Sequence, residues 1–162
     1  MRATVSRQFT AATTLVPQVA VAIAVDIAWV AGQASSGQIS DGVFMMDNKV
    51  RNGSSGEGSL GLHTVCNAGD LIGFQVIPIA ADGSSGDTVI ITGFADVTGS
   101  VFTGAGHPIP QPPLGGLPSG SYWIGQALAA GTESYMIQIM LSVGALQPVR
   151  YYVWWDATLT AR

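Results

Sequence analysis

Short apolar runs, cut at close intervals by clusters of Gly, Ser, Asn and Asp, leave this chain little room for long helices. The chain holds 21 glycines and 8 prolines. The clusters AGQASSGQISDG, NKVRNGSSGEG, NAGD and ADGSSGD read as turns and loops. Between them lie VFMMD (43–47), SLGLHTV, DLIGFQVIPI (70–79), DTVIITGF (87–94) and YWIGQALA, followed by GTESYMIQIMLSV and YYVWWDATLT. These runs are rich in Val, Ile, Tyr, Phe and Trp, which fit a pleated, half-buried surface. The expected fold is all-β, with eight or nine strands and no helix. It is read as a two-sheet antiparallel β-sandwich, Greek-key or jelly-roll-like, with a closed barrel as the alternative. The run 87–94 is nearly all apolar and is expected to be a buried strand.

Strand periodicity sorts the side chains. In GTESYMIQIMLSV, Tyr135, Ile137, Ile139, Leu141 and Val143 share one face, and Met136, Gln138, Met140 and Ser142 the other. In YYVWWDATLT, Tyr151, Val153 and Trp155 share a face, and Tyr152, Trp154 and Asp156 share its opposite. A half-exposed strand needs only one apolar face, and this one has two. Val153 and Trp155 are expected in the core. Tyr152 and Trp154 are expected to meet another subunit or a ligand.

The domain is expected to span 15–162, preceded by a loose Thr/Ala-rich tail over 1–14. Arg2 and Arg7 precede the apolar run 15–31, LVPQVAVAIAVDIAWVA, an arrangement that superficially resembles a secretion signal. Pro17, Gln18 and Asp26 interrupt the run, which is too short and polar for a membrane span. Val19, Val21, Ile23 and Val25 alternate with Ala, so the run reads as the first strand. Residues 103–120, TGAGHPIPQPPLGGLPSG, hold most of the prolines and cannot form a central strand. They read as a lid, or as an arm reaching toward a neighbouring subunit.

Charged residues make up 10 % of the chain, against roughly 25 % in an ordinary soluble domain. So little charge does not hold molecules apart, and a homo-oligomer or a larger ordered assembly is expected. The net charge of −4, with six scattered basic residues, argues against nucleic acid. One cysteine, Cys66, excludes an internal disulfide framework.

No motif selects a catalytic site. There is no G-x-S-x-G elbow, and the three SSG triplets are turn sequences. The only glutamates, Glu57 and Glu133, are linked by no local pattern. The chain is read as a non-enzyme. His63 and Cys66 form a lone HxxC, short of the three or four ligands zinc requires. No cofactor is expected. Calcium is the one metal the loops could hold, through Asp47, Asn48, Asp82 and Asp87, although Lys49 and Arg51 break an EF-hand pattern.

The aromatic-acidic face carries the ligand expectation. A pyranose can stack its apolar face on an indole while a carboxylate or amide takes two hydroxyls. The candidate binding residues are Trp154, Asp156 and Tyr152 on the last strand, Asp47 and Asn48 at a strand end, and Trp123.

VFMMDN, GSSGEGSLGLHT, CNAGDLIGF, GDTVIITGF, GTESYMIQI and YYVWWDATLTAR, in this order, resemble the AidA/PixA family of bacterial inclusion-body proteins, the AidA branch more closely. Ala157 stands where many relatives carry Pro after the W-D pair. The resemblance implies a β-sandwich and a cytoplasmic protein made in quantity, often under population-density (quorum-sensing) control. It also implies inclusions in some members, release from some cells, and lectin activity. Two functions are therefore expected: a carbohydrate-binding, lectin-like protein, or a structural or storage protein that self-assembles with no small ligand.

Overall fold

The computed structural model describes residues 15–79 and 86–162. The proposed tail over 1–14, and Asp82, lie outside the described residues. The described strands are β1 (Val19–Asp26), β2 (Val43–Asp47), β3 (His63–Cys66), β4 (Leu71–Ile79), β5 (Thr88–Thr98), β6 (Ile109–Pro110), β7 (Tyr122–Gln126), β8 (Gly131–Val143) and β9 (Val149–Ala161). They form a five-stranded sheet, order β2-β1-β4-β7-β6, packed on a four-stranded sheet, order β3-β9-β8-β5. The sandwich expected from the sequence is present. Both sheets are mixed, however, because β1 pairs with β4, and β3 with β9, in parallel.

Alternation builds the core. Val19, Val21, Ile23 and Val25 of β1 face Tyr135, Ile137, Ile139 and Leu141 of β8 and Val153, Trp155 and Leu159 of β9 across the sandwich, all buried. Each large apolar side chain removed from water contributes roughly 1.5–3 kcal/mol. Trp155 is the largest fully buried side chain, and its indole N–H donates to Met45 Sδ at 3.2 Å.

Two expectations need correction. The run 15–31 is not one strand, because β1 ends at Asp26 and a helix, α1 (Ile27–Gln33), follows. Asp26 caps it, its carboxylate accepting from the Trp29 N–H. Ile27 and Val30, three apart, are its buried residues, so the apolar period changes from two to three at the cap. The run 87–94 is not a fully buried strand. It belongs to the edge strand β5, which buries Val89 and Ile91 and leaves Thr92 exposed. The Pro-rich segment contains a single helical turn, α2 (Thr103–Gly106), and the short edge strand β6. At Ala157, β9 continues without a break, paired with Tyr135 of β8.

Candidate functional site

The outer face of the four-stranded sheet gathers the residues that the last strand projects away from the core. Gln138 lies beside Trp154, Met140 beside Tyr152, and Met136 beside Asp156. Tyr152 is 60 % exposed, Trp154 is half-buried, and Asp156 is exposed. A shallow depression of about 220 Å³ opens here, lined by Thr92, Gln138, Ile139, Tyr152, Val153 and Trp154. Gly93 helps to make it. A Cβ there would stand 2.9 Å from Gln138 Oε1, so the missing side chain leaves room for the carboxamide. Segment 37–39 runs along the far side of β9. The Trp154 N–H donates to the Gly37 carbonyl at 2.9 Å, and the Trp154 carbonyl accepts from Ile39 N–H at 3.1 Å. One aromatic ring, one carboxamide and one carboxylate on a single face are the groups a sugar would need.

The other sequence candidates lie elsewhere. Trp123, on β7 in the opposite sheet, points between the sheets. It pairs with Phe74, packs against Phe94 at 5.6 Å, and gives its indole N–H to the Gly120 carbonyl. Asp47 accepts from Thr64 Oγ1 and from the Lys49 N–H, both at 2.7 Å. Its own N–H donates to Glu57. Burial raises the pKa of Glu57. The N–H of Asp47 opposes that rise, and the Asp47 carboxylate adds to it. Asn48 ties β1 to the loop, accepting from the Ala20 N–H and donating to the Gln18 carbonyl. Asp87 accepts from the Gly144 N–H at the β8–β9 turn. Among the described residues, no three His, Cys, Asp or Glu side chains converge as a metal site. His63 bridges two threonines of β9, with Nδ1 at 2.7 Å from Thr158 Oγ1 and Nε2 at 3.0 Å from Thr160 Oγ1.

A second cluster is not anticipated by local sequence motifs. Glu133, near the start of β8, has no exposed surface. Its Oε2 accepts from the Phe102 N–H at 2.9 Å, while its Oε1 finds no donor. Burial pushes its pKa up to about 7, and contact with the Asp96 carboxylate adds to the rise. Two neighbouring carboxyl groups resist ionising together, so the proton stays on Glu133, whose pKa is raised, and Asp96 carries the charge. Asp96 in turn meets His107 Nε2 at 2.7 Å. A register shift in β5 at Ile91/Gly93 places Asp96 opposite the inward-facing Tyr135. The signal in the sequence was parity: Glu133 stands two residues before Tyr135, on the buried face of β8.

No curated protein sequence matches the chain. Among solved structures, the crystal structure of the inclusion body protein PixA from Burkholderia cenocepacia J2315 is similar, with a TM-score of 0.70. It is 17 % identical, over 89 % of this chain and 94 % of that one, and the likeness is one of fold. Residues 17–147, well over half of the chain, match the family described as Domain of unknown function (DUF8788), and the protein belongs to that family.

Proposed function

We propose that this is a structural protein that self-assembles into inclusions inside the cell and requires no small ligand to do so. One observation carries the reading: each sheet carries a cluster of apolar side chains on its outer face. On the five-stranded sheet, Ala22 lies between Met46 and Gln75, and Ala24 between Phe44 and Ile77. Phe44 and Met46 are 42 % and 46 % exposed, and none of these six residues is charged. The two small alanines make a trough walled by Phe44, Met46 and Ile77, with Gln75 at one corner. On the opposite side of the sandwich lie Tyr152, Trp154, Met136 and Met140. Sticky faces on opposite sides of one molecule favour open-ended growth over a closed dimer. The low charge and the shared fold with an inclusion body protein support the same reading.

Sedimentation of the purified chain over a range of concentrations tests this. Large ligand-free assemblies are expected. Phe44→Lys combined with Ile77→Lys should stay dispersed with an unchanged unfolding temperature. A wild type that remains monomeric up to millimolar concentration would sink the proposal.

The depression beside Trp154 favours a second reading, carbohydrate binding by Trp154, Asp156, Tyr152 and Gln138. A glycan array, with and without calcium, tests it. Binding lost in a folded Trp154→Ala variant would support it, and a blank array from folded protein would end it.

A further inference from the structure

We propose that two copies of the chain join edge to edge through residues 149–153 of β9, antiparallel and centred on Tyr151, with a second copy of this chain as the occupant of that edge. The inference rests on the self-assembly reading and names one of its interfaces.

The edge is open along this stretch. The backbone polar groups of Trp154 bond to Gly37 and Ile39, so they point away from β8. Groups two residues apart in a strand point the same way. The N–H and C=O of Arg150 and Tyr152 therefore also point away from β8. β3 covers β9 only from Thr158 to Ala161, and Gln38 bridges it only at Trp154. Among the described residues, no strand pairs with the outer side of 149–153. Such an edge is a template for another strand.

The ends of the opening set the register. Pro148 has no N–H to donate. At the other end, the backbone of Trp154 is already bonded. With Tyr151 at the two-fold axis, Arg150 of each copy faces Tyr152 of the other, and the two residues exchange both backbone hydrogen bonds. Sliding the pairing one step in one direction sets Arg150 against the occupied Trp154. Sliding it the other way sets Tyr152 against Pro148. Only the central register joins open groups to open groups.

Side-chain chemistry agrees. Directly opposed residues share a face, so the Arg150 guanidinium of each copy lies beside the Tyr152 ring of the other, a cation–aromatic pair made twice. The two arginines do not face each other. Val149 and Tyr152 supply apolar surface along the same edge, and Leu146, 97 % exposed, adds to it in the β8–β9 turn.

The test is light scattering on the full chain after size-exclusion chromatography, with Tyr152→Pro beside wild type. The Tyr152 N–H points away from β8, so Pro removes the outward donor without breaking a bond of the hairpin. Below the concentration at which larger assemblies form, the expected result is paired wild type and a folded Tyr152→Pro variant that has lost the pairing. Tyr151→Cys gives an independent reading, because the register sets each Tyr151 against its copy and Cys66 is buried. Oxidation should then yield a covalent dimer, and Val149→Cys, which faces Val153, should not. Should Tyr152→Pro fail to fold, the cysteine variants decide alone. If wild type assembles, but Tyr152→Pro pairs equally and Tyr151→Cys stays unlinked, the interface is overturned and the self-assembly reading stands. A wild type that never associates overturns both.

Discussion

His107 Nε2 stands 2.7 Å from Asp96 Oδ2, and this pair closes over the fully buried Glu133. The cluster fastens the start of the Pro-rich segment to the sandwich, since Glu133 also accepts from Phe102 N–H and His107 Nδ1 lies 3.3 Å from the Gly104 carbonyl. Asp96 moves down in pKa, while Glu133 and His107 move up. The hydrogen bond from Glu133 lowers Asp96 and outweighs the rise from its burial, and His107 lowers it further. Burial pulls His107 down, but its bonds to Asp96 and the Gly104 carbonyl carry it above its ordinary value. Glu133 rises to about 7.

The pH dependence of stability follows from these directions. Glu133 and His107 are raised above unfolded values of 4.5 and 6.5. Their contribution is complete below those values and is lost as pH rises through the folded ones. Asp96 is lowered from 3.8, so its contribution is complete above 3.8 and is lost as pH falls through its folded value. The unfolding temperature should therefore be highest in mildly acidic buffer, near pH 4.5, and fall as pH rises from there to about 7 and through the raised value of His107. Glu133→Gln keeps an acceptor for Phe102 and an N–H donor for Asp96 without a titrating proton. Its unfolding temperature should fall less than that of wild type between pH 5 and 8. Parallel curves for the two proteins would refute the proton held on Glu133.

The two adjacent tryptophans should behave differently. Trp155 is fully buried and donates to Met45, whereas Trp154 is half-buried on the outer face. Trp155→Ala should cost roughly 3–5 kcal/mol, the range for a large core ring. Trp154→Ala should cost about 1 kcal/mol. Denaturant unfolding measures both, and similar losses would contradict the assignment of faces.

Much of this organisation was legible. The alternation of β1, β8 and β9 told which side chains enter the core, because a period of two has only one register that buries Val153 and Trp155 together. The aromatic outer face of β9 followed from the same parity. The helix after Asp26 was masked because IAWVA continues an apolar run, and only the cap marks the change of period. The acid–His cluster was hidden because the bulge of β5 between Ile91 and Gly93 alters which face Asp96 takes, and a bulge is a property of pairing with β8. Parallel pairing of β1 with β4 was equally illegible, since it joins segments separated by a helix and two strands, β2 and β3. Trp123 looked like Trp154 in the sequence, and only its position opposite Phe74 shows that it points inward.

Gly99 should not tolerate a side chain. Its φ is +85°, and a Cβ would run into the Thr132 carbonyl oxygen. The backbone conformation alone costs an L-residue about 1–2 kcal/mol, and the collision adds to it. Gly99→Ala should lower the unfolding temperature by several degrees, with β8 pushed away from the segment that reaches Glu133. Gly104, with open space around its Cβ position, serves as the control. Gly104→Ala should change stability by less than about 1 kcal/mol. Equal behaviour of the two variants, read by thermal unfolding, would refute the close approach.

Salt separates apolar assembly from ionic assembly. The outer faces hold Phe44, Met46, Ile77, Tyr152 and Trp154, and the chain has only ten acidic and six basic residues to form a lattice of ion pairs. Ion pairs between exposed groups weaken as the screening length falls from about 10 Å at 0.1 M salt to about 3 Å at 1 M. Apolar contacts do not weaken in this way, and sulfate strengthens them by exclusion from the surface. Assemblies formed at low salt should therefore persist in 1 M sodium chloride and grow in ammonium sulfate at about the same ionic strength. Turbidity and sedimentation read both. Assemblies that dissolve in sodium chloride would point to charge, and the exposed apolar faces would lose their assigned role.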